Sequence, residues 1–351
     1  AKEVRSKFND MKFDVVIGNP PYQEEANGAS TRDEPIYHKF MDLAYELSDL
    51  VTLITPGRFL FNAGQTPKKW NQKILNDKHL KVILYVQNSD KIFPRTDIKG
   101  GIAITLRDSQ KDFGKIGVFT SFAELNSIVK KVKKLGEESF SQIVSPRGSY
   151  RFSPKFFDDY PDASNKLGKG TRNMIVSNVF EKLVEAFPEE VLDEKEYFKF
   201  YGRVNGKRVY RYLKKEYVLD NKYINKYKIL IPEGNGSGAL GEVLSTPLIG
   251  APLIGATDTF LNIGSFDDKN VAENVLKYVK TKFARTMLGI LKITQHNPRS
   301  TWKYVPLQDF TPNSDIDWTK SVSEIDQQLY KKYGLTADEI EFIETKVQAM
   351  E

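Results

Sequence analysis

The sequence predicts an α/β chain in which a partial, mostly parallel sheet is followed by a mixed α+β region. Three observations carry this. Over residues 1–110, short β-branched runs alternate with helically spaced apolar residues. From Lys111 onward Gly, Pro and aromatic residues become frequent and helical periodicity is intermittent. Asn205-Gly206 stands between two alternating runs, the strongest short-range hairpin signal. The 351 residues are 40% hydrophobic, enough for two domains with their own cores. The expected division is 1–110, 111–320 and a helical tail over 321–351.

In order along the chain, Phe13-Asp14-Val15-Val16-Ile17-Gly18 reads as a buried strand, and Asn19-Pro20-Pro21-Tyr22 ends it. The two prolines fix φ and remove two backbone donors. The Asn before them is pushed to an extended conformation. The result is a stiff loop at the carboxyl end of a strand, where open α/β sheets place ligands. It offers an amide side chain, free carbonyls and an aromatic face, groups that can hold a planar, amine-bearing base. The blander reading is a strand followed by a proline turn. A polar loop over 23–34 comes next. Helical spacing then runs from Ile36 to Leu47 through Phe40, Leu43, Ala44 and Leu47. Leu50–Pro56 is a buried strand, Lys68–Leu75 a helix, and Leu80–Val86 and Gly101–Leu106 two further strands.

In the second region, Phe198–Val204 and Lys207–Leu213 flank the Asn-Gly turn. That hairpin carries Lys199, Arg203, Lys207, Arg208 and Arg211 among aromatics. Arginines can read guanine edges, and either cation can hold phosphate; the alternative is an exposed hairpin facing water. Weaker basic candidates are the loops 145–151, 166–172 and 234–241. Lys130, Lys131, Lys133 and Lys134 read as the solvated face of a helix. Val275, Leu276, Val279, Phe283, Met287 and Leu291 mark one long amphipathic helix from near Asn270. The polar segment after it offers Gln295 and Arg299 as DNA contacts. The tail reads as two short helices broken at Gly334, packed on the second region. Glu344-Thr345-Lys346 is too short a match to make a nuclease site.

Composition removes several chemistries. There are no cysteines. A C5-cytosine methyltransferase needs a thiolate and a zinc deaminase a Cys-rich site, so both are excluded. His38, His79 and His296 are scattered, and no metal site is expected. A chain without disulfides suits a cytoplasmic protein. No run of about 18 apolar residues reads as a membrane span, and no signal peptide is visible. The first residue is Ala rather than Met, which suggests a trimmed start or a fragment. The net charge is +6. Its positive excess lies in 111–310, whereas 311–351 is acidic. A basic middle suits a phosphate backbone as partner, or simply a solvated surface.

Asn19-Pro20-Pro21-Tyr22 resembles motif IV of the amino-methyltransferases, which methylate N6 of adenine or N4 of cytosine. Phe93-Pro94 followed by Asp97-Ile98-Lys99-Gly100-Gly101 resembles the motif VIII region of adenine methyltransferases fused to or partnered with restriction enzymes. The closing Val305-Pro306-Leu307-Gln308-Asp309-Phe310 is similar to the recognition regions of fused restriction–modification proteins. The resemblance implies a site-specific N6-adenine DNA methyltransferase, with double-stranded DNA as partner and S-adenosylmethionine as cofactor. It implies that the first region is the catalytic half of a Rossmann-like methyltransferase sheet, ending in a hairpin with one antiparallel strand. It makes 111–320 a target-recognition domain. Asn19, Pro20, Pro21 and Tyr22 are then catalytic, with Asn19 Oδ1 and the Pro20 carbonyl each accepting an N–H of the amine. Tyr22 and Phe93 stack on the flipped base from opposite sides. Adenine over N4-cytosine rests on the resemblance alone.

In that class a Gly-rich donor loop precedes the tetrapeptide by many tens of residues. Only 18 residues precede Asn19. The chain is either the C-terminal portion of a longer enzyme or a permuted one. Gly236-Ser237-Gly238-Ala239-Leu240-Gly241 fits GxGxxG but opens no helix, and Thr259–Gly264 lacks the remaining glycines. The truncated reading is preferred, with a donor-binding region, and any nuclease, upstream in the same polypeptide. This chain alone is then expected to bind no donor and to be inactive. Alternatives are a non-catalytic DNA-binding or specificity module, and an RNA or protein-glutamine methyltransferase.

Overall fold

The computed structural model describes residues 12–24, 34–61, 66–96, 98, 100–168, 170, 173–234, 236, 238–292 and 295–350. Most of the polar loop 23–34, Asp97 and Lys99, part of the loop 166–172, and Ser237 lie outside them. The chain divides into two compact units, Ala1–Asn126 and Ser127–Glu351. The boundary falls past residue 110, and the segment 321–351 lies within the second unit.

The first unit is built on a four-stranded sheet. Its strands are β1 (Val16–Gly18), β4 (Leu50–Pro56), β5 (Leu80–Val86) and β6 (Ile102–Asp108). The order is β1-β4-β6-β5. β1 and β4 pair in parallel, and β6 runs antiparallel to both β4 and β5. Three strands therefore share one direction, and the fourth is inserted between two of them. A small ribbon, β2 (Gln23–Glu24) with β3 (Glu34–Pro35), follows β1.

Helix α1 (Tyr37–Leu47) buries Tyr37, Met41 and Ala44; of the predicted stripe Phe40, Leu43, Ala44 and Leu47, Ala44 is buried and the other three are half-buried. Helix α2 (Lys68–Leu75) buries Trp70, Ile74 and Leu75. The Trp70 indole donates to Asp42 (3.0 Å) and so ties α2 to α1. These helices share one core with Val51 and Leu53 of β4 and with Val16 of β1. Successive strand residues alternate faces, so Val15 and Ile17 point the other way. They are 44% and 78% exposed, and Ile83 is 53% exposed. The expected buried first strand is instead half-buried on one face and exposed on the other, because no described element covers the second.

The second unit begins within α3 (Ala123–Lys134). The short helices α4 (Pro154–Asp159), α5 (Ala163–Leu167) and α6 (Val179–Lys182) surround an aromatic core in which Phe152 and Phe156 stack at 3.9 Å. Strands β7 (Tyr197–Val204) and β8 (Lys207–Lys214) form the predicted hairpin. Asn205 and Gly206 both have positive φ (51° and 76°), as this tight turn requires. Strands β9 (Tyr227–Pro232), β10 (Leu248–Gly250), β11 (Ile254–Ala256) and β12 (Phe260–Phe266) complete two three-stranded sheets, β11-β7-β8 and β10-β9-β12.

The predicted single long helix is two, α7 (Lys269–Lys280) and α8 (Lys282–Leu288). The break is at Thr281, whose extended backbone ends α7 and whose side chain accepts from Ala284 N to cap α8. Two helices, α9 (Val322–Lys332) and α10 (Ala337–Lys346), close the chain. Each starts with a capping box, and Gly334 between them has φ 59°. Asp326 of α9 accepts from the Lys282 and Phe283 amides, which docks the tail on α8.

Candidate active site and nucleic-acid interface

β1 ends at Gly18, opposite Leu53, and Asn19-Pro20-Pro21-Tyr22 leaves the sheet at its carboxyl end. Asn19 and Pro21 are exposed, and Pro20 and Tyr22 are half-buried. No described group donates a hydrogen bond to the Pro20 carbonyl. The Tyr22 carbonyl is the one engaged, accepting from Ile36 N (3.1 Å). The Tyr22 ring packs on the α1–α2 core. Burial pushes its phenol above the ordinary value, and the neighbouring Asn19 amide partly offsets this. That hydroxyl is shielded from solvent, and among the described residues it finds no partner in hydrogen-bond geometry.

Three glycines bring the ends of β4, β5 and β6 together at the same end of the sheet. Gly57 N donates to Gly101 O (2.8 Å). A Cβ on Gly57 would lie 2.7 Å from the Tyr85 ring, and one on Gly101 would lie 2.5 Å from Val86 O. Gly100 and Gly101 have φ of 86° and 69°, and a Cβ on Gly100 would meet Arg58 Cβ at 2.7 Å. Only Gly permits both the backbone conformation and the approach. The two quoted motifs, around Asn19 and around Gly100-Gly101, therefore share the strand ends.

Phe93 lies on the loop leaving β5. Ser89 pins that loop: its carbonyl accepts from Phe93 N (2.8 Å), and its hydroxyl donates to Thr96 O (2.8 Å) and accepts from Ile98 N (2.8 Å). Phe93 is half-buried, and among the described residues no ring contact joins it to Tyr22.

Sequence reasoning missed a group of shielded polar atoms in this unit. Among the described residues, Tyr37 Oη, Thr55 Oγ1 and Arg58 Nε find no partner in hydrogen-bond geometry. Burial pushes the Tyr37 phenol up to about 12, against the nearby Arg58 charge. Such groups are costly to leave unmade and concentrate where function keeps them. The only sequence signal was Pro56-Gly57-Arg58 at a strand end.

In the second unit, the hairpin separates the five predicted cations. Residues opposite one another share a face, and Lys199↔Tyr212, Tyr201↔Tyr210 and Arg203↔Arg208 are opposite. Lys199, Arg203 and Arg208 thus lie on one face with three tyrosines. The Arg208 guanidinium stands 5.0 Å over Phe260 and 5.8 Å over Tyr201. Arg203 is exposed and has no described carboxylate partner. Lys199 is paired with Glu194 (3.1 Å).

Arg211, opposite Phe200, and Lys207, opposite Val204, lie on the other face. Arg211 is bound there to Glu189 (2.5 Å), with its side chain 14% exposed. Gln295 is exposed. Arg299 is exposed and anchored through Nε to Ser141 O (2.8 Å). Lys131 departs from the solvated face, because it pairs with Glu339 (2.7 Å).

A cavity of about 880 Å³ lies in the second unit among α7, α9 and the C-terminal residues and holds none of the predicted site residues. Among the described residues no cluster of His, Asp and Glu could hold a metal, and no helix is long and apolar enough to cross a membrane. Glu344 of the Glu-Thr-Lys run holds Lys282 (2.5 Å) and Tyr330 (2.9 Å) instead.

Residues 1–93 match the family model described as Eco57I restriction-modification methylase. An uncharacterized adenine-specific methylase of Mycoplasma pneumoniae is 31% identical over 124 residues, which is 34% of this chain and 29% of that protein. Among solved structures, the type IIG restriction endonuclease BpuSI is similar at TM-score 0.36 and 10% identity, over 97% of this chain and 53% of that one. The type IIL restriction-modification enzyme MmeI, solved in complex with DNA, gives TM-score 0.36 and 10% identity over 95% and 56%. The chain thus spans 29% of its curated relative's length and about half of those structures, and its first 93 residues, which include Asn19–Tyr22, are similar to the restriction-modification methylases of the Eco57I type.

Proposed function

We propose that this chain supplies the base-binding loop and DNA-recognition region of a site-specific N6-adenine DNA methyltransferase of a restriction–modification system. The observation that carries the reading is the place of an exposed Asn19 amide and the Pro20 carbonyl, to which no described group donates, side by side at the carboxyl end of β1. An exocyclic amine is a poor nucleophile because its lone pair is delocalised into the ring. Accepting one N–H on Asn19 Oδ1 and the other on the Pro20 carbonyl holds the nitrogen so that its lone pair projects out of the base plane. As nitrogen gains positive charge both hydrogen bonds strengthen, so the two acceptors favour the transition state over the ground state. Two prolines keep them in place at little reorganisation cost. Tyr22, anchored on the core through part of its ring, offers the remainder as a stacking surface for an extruded base.

S-adenosylmethionine supplies the methyl group in such enzymes. Among the described residues no Gly-x-Gly turn joins a strand to a helix, and the 236–241 loop leads to β10, which supports the reading that its site lies in another part of the enzyme. The uncovered sheet face at Val15, Ile17 and Ile83 fits the reading that further elements of the same enzyme complete this domain. The proposal is tested on the full-length enzyme: it methylates adenine-containing duplex and neither RNA nor protein, and Asn19→Ala removes that activity.

A further inference from the structure

The second unit holds a basic groove that none of the motifs above singled out as one site. It is an open concavity of about 530 Å³ lined by Arg147, Arg299, Lys303, Ser141, Pro146 and Pro298. Its cations come from distant parts of the chain and sit on fixed backbone. Ser145 N donates to Asn262 O (2.8 Å), and Ser145 Oγ accepts from Asn262 N (2.8 Å), which holds the loop carrying Arg147. Gly148 turns that loop at φ 67°. Phe140 N donates to Val305 O (2.8 Å), and Arg299 Nε donates to Ser141 O (2.8 Å), which joins the two walls. Beyond Lys303 the track continues to Lys133: the two ammonium groups lie 5.5 and 4.7 Å from the same Tyr304 ring. Partial burial, and then the Lys303 charge, hold the Lys133 ammonium below its usual pKa.

Like charges gathered in this way repel, and no described carboxylate pairs with Arg299, Lys303 or Lys133. Arg147 does have a partner, the buried Asp258 (2.7 Å). Asp258 also links the groove to the hairpin. Its neighbour Thr257 donates its amide to Tyr201 O (3.0 Å), and two residues on, Phe260 lies beneath Arg208.

We infer that Arg147, Arg299, Lys303 and Lys133 form a track for the phosphodiester backbone of duplex DNA, continuous with Arg203 and Arg208 on the hairpin. The inference rests on the DNA-methyltransferase reading and adds to it where the backbone is gripped. A phosphate oxygen supplies the negative charge that the cluster lacks, and the Ser141 side of the groove offers short polar groups between the cations. These contacts position the duplex and read no sequence.

The test is the salt dependence of binding by this chain to a short duplex, followed by fluorescence anisotropy. Lys133→Gln with Lys303→Gln removes two charges that no described carboxylate pairs with. Each lost phosphate contact lowers the slope of log K against log salt by about 0.9. The double variant is therefore expected to flatten the slope by about 2, and addition of Arg299→Gln by about 3 in all. A control with Lys320→Gln, Lys331→Gln and Lys346→Gln removes as much charge from the C-terminal segment and should leave the slope in place. If wild type binds duplex but the groove variants keep its slope, or the control matches them, the track is wrong and the methyltransferase reading stands. If wild type binds no duplex at any salt, or binds RNA alone, the DNA reading fails and the track with it.

Discussion

Lys228→Met should change how the stability of the second unit depends on pH. Lys228 lies on β9 with none of its surface exposed. Its ammonium donates to the carbonyls of Lys226 (3.0 Å) and Ala251 (2.8 Å), and no described carboxylate pairs with it. Burial pulls its pKa from 10.5 to about 7. The unfolded chain therefore binds a proton between those values that the folded chain does not, so stability rises with pH across that window. At about 1.4 kcal/mol per pKa unit, Lys228 penalises the folded state by about 4 kcal/mol at neutral pH and about 2 kcal/mol two pH units higher. The Met variant loses that term. It also leaves two carbonyls without a donor, a cost that shifts every pH value alike. Urea denaturation, followed by the fluorescence of Trp302 and Trp318, would be measured for both proteins from pH 7 to pH 9. Wild type should gain about 2 kcal/mol on the variant over that range. Parallel stability curves would show that Lys228 is not the buried, weakly basic group described.

Two further outcomes separate structural from functional roles. Arg203→Gln should lower duplex affinity and flatten its salt slope by about 1, whereas Arg211→Gln should lower thermal stability through the lost Glu189 pair and leave the slope alone; anisotropy and a melting curve read the two. Gly101→Ala places a Cβ 2.5 Å from Val86 O at φ 69° and should cost about 2–4 kcal/mol of first-unit stability. Gly206→Ala, at φ 76° with open space around it, should cost only about 1–2 kcal/mol. Equal losses in urea unfolding would contradict the packing described around Gly101.

The strands and helices of the first unit were legible because their apolar spacing is local. Leu50–Pro56, Lys68–Leu75 and Leu80–Val86 coincide with the observed elements. The insertion of β6 between β4 and β5 is a long-range pairing, and nothing in the spacing of 101–106 announces it. The hairpin turn was legible from Asn205-Gly206, and so in principle were its faces. A two-residue turn fixes Phe200 opposite Arg211, and Phe198 and Phe200 mark the inner side. Treating the five cations as one group ignored that alternation.

The break at Thr281 was hidden because the apolar stripe runs on through Phe283 and Met287, while one capping hydroxyl decides where the helix ends. Lys228 looks like any solvent-facing strand residue until β10 folds over it. The groove was the least legible feature, since Lys133, Arg147, Arg299 and Lys303 meet only through tertiary packing. The acceptor loop, by contrast, is contiguous, so its stiffness and its amide, carbonyl and aromatic groups follow from four adjacent residues.

That loop is also where the account is most exposed. The direct measurement is the rate of methyl transfer to adenine N6 in duplex DNA by the full-length enzyme, with and without Asn19→Ala, alongside its affinity for S-adenosylmethionine. Removing one of two acceptors whose bonds strengthen as charge develops should slow transfer by about 10²–10³-fold and leave donor affinity unchanged. Full activity in the Asn19→Ala enzyme would contradict the assignment of the loop as the clamp on the target amine.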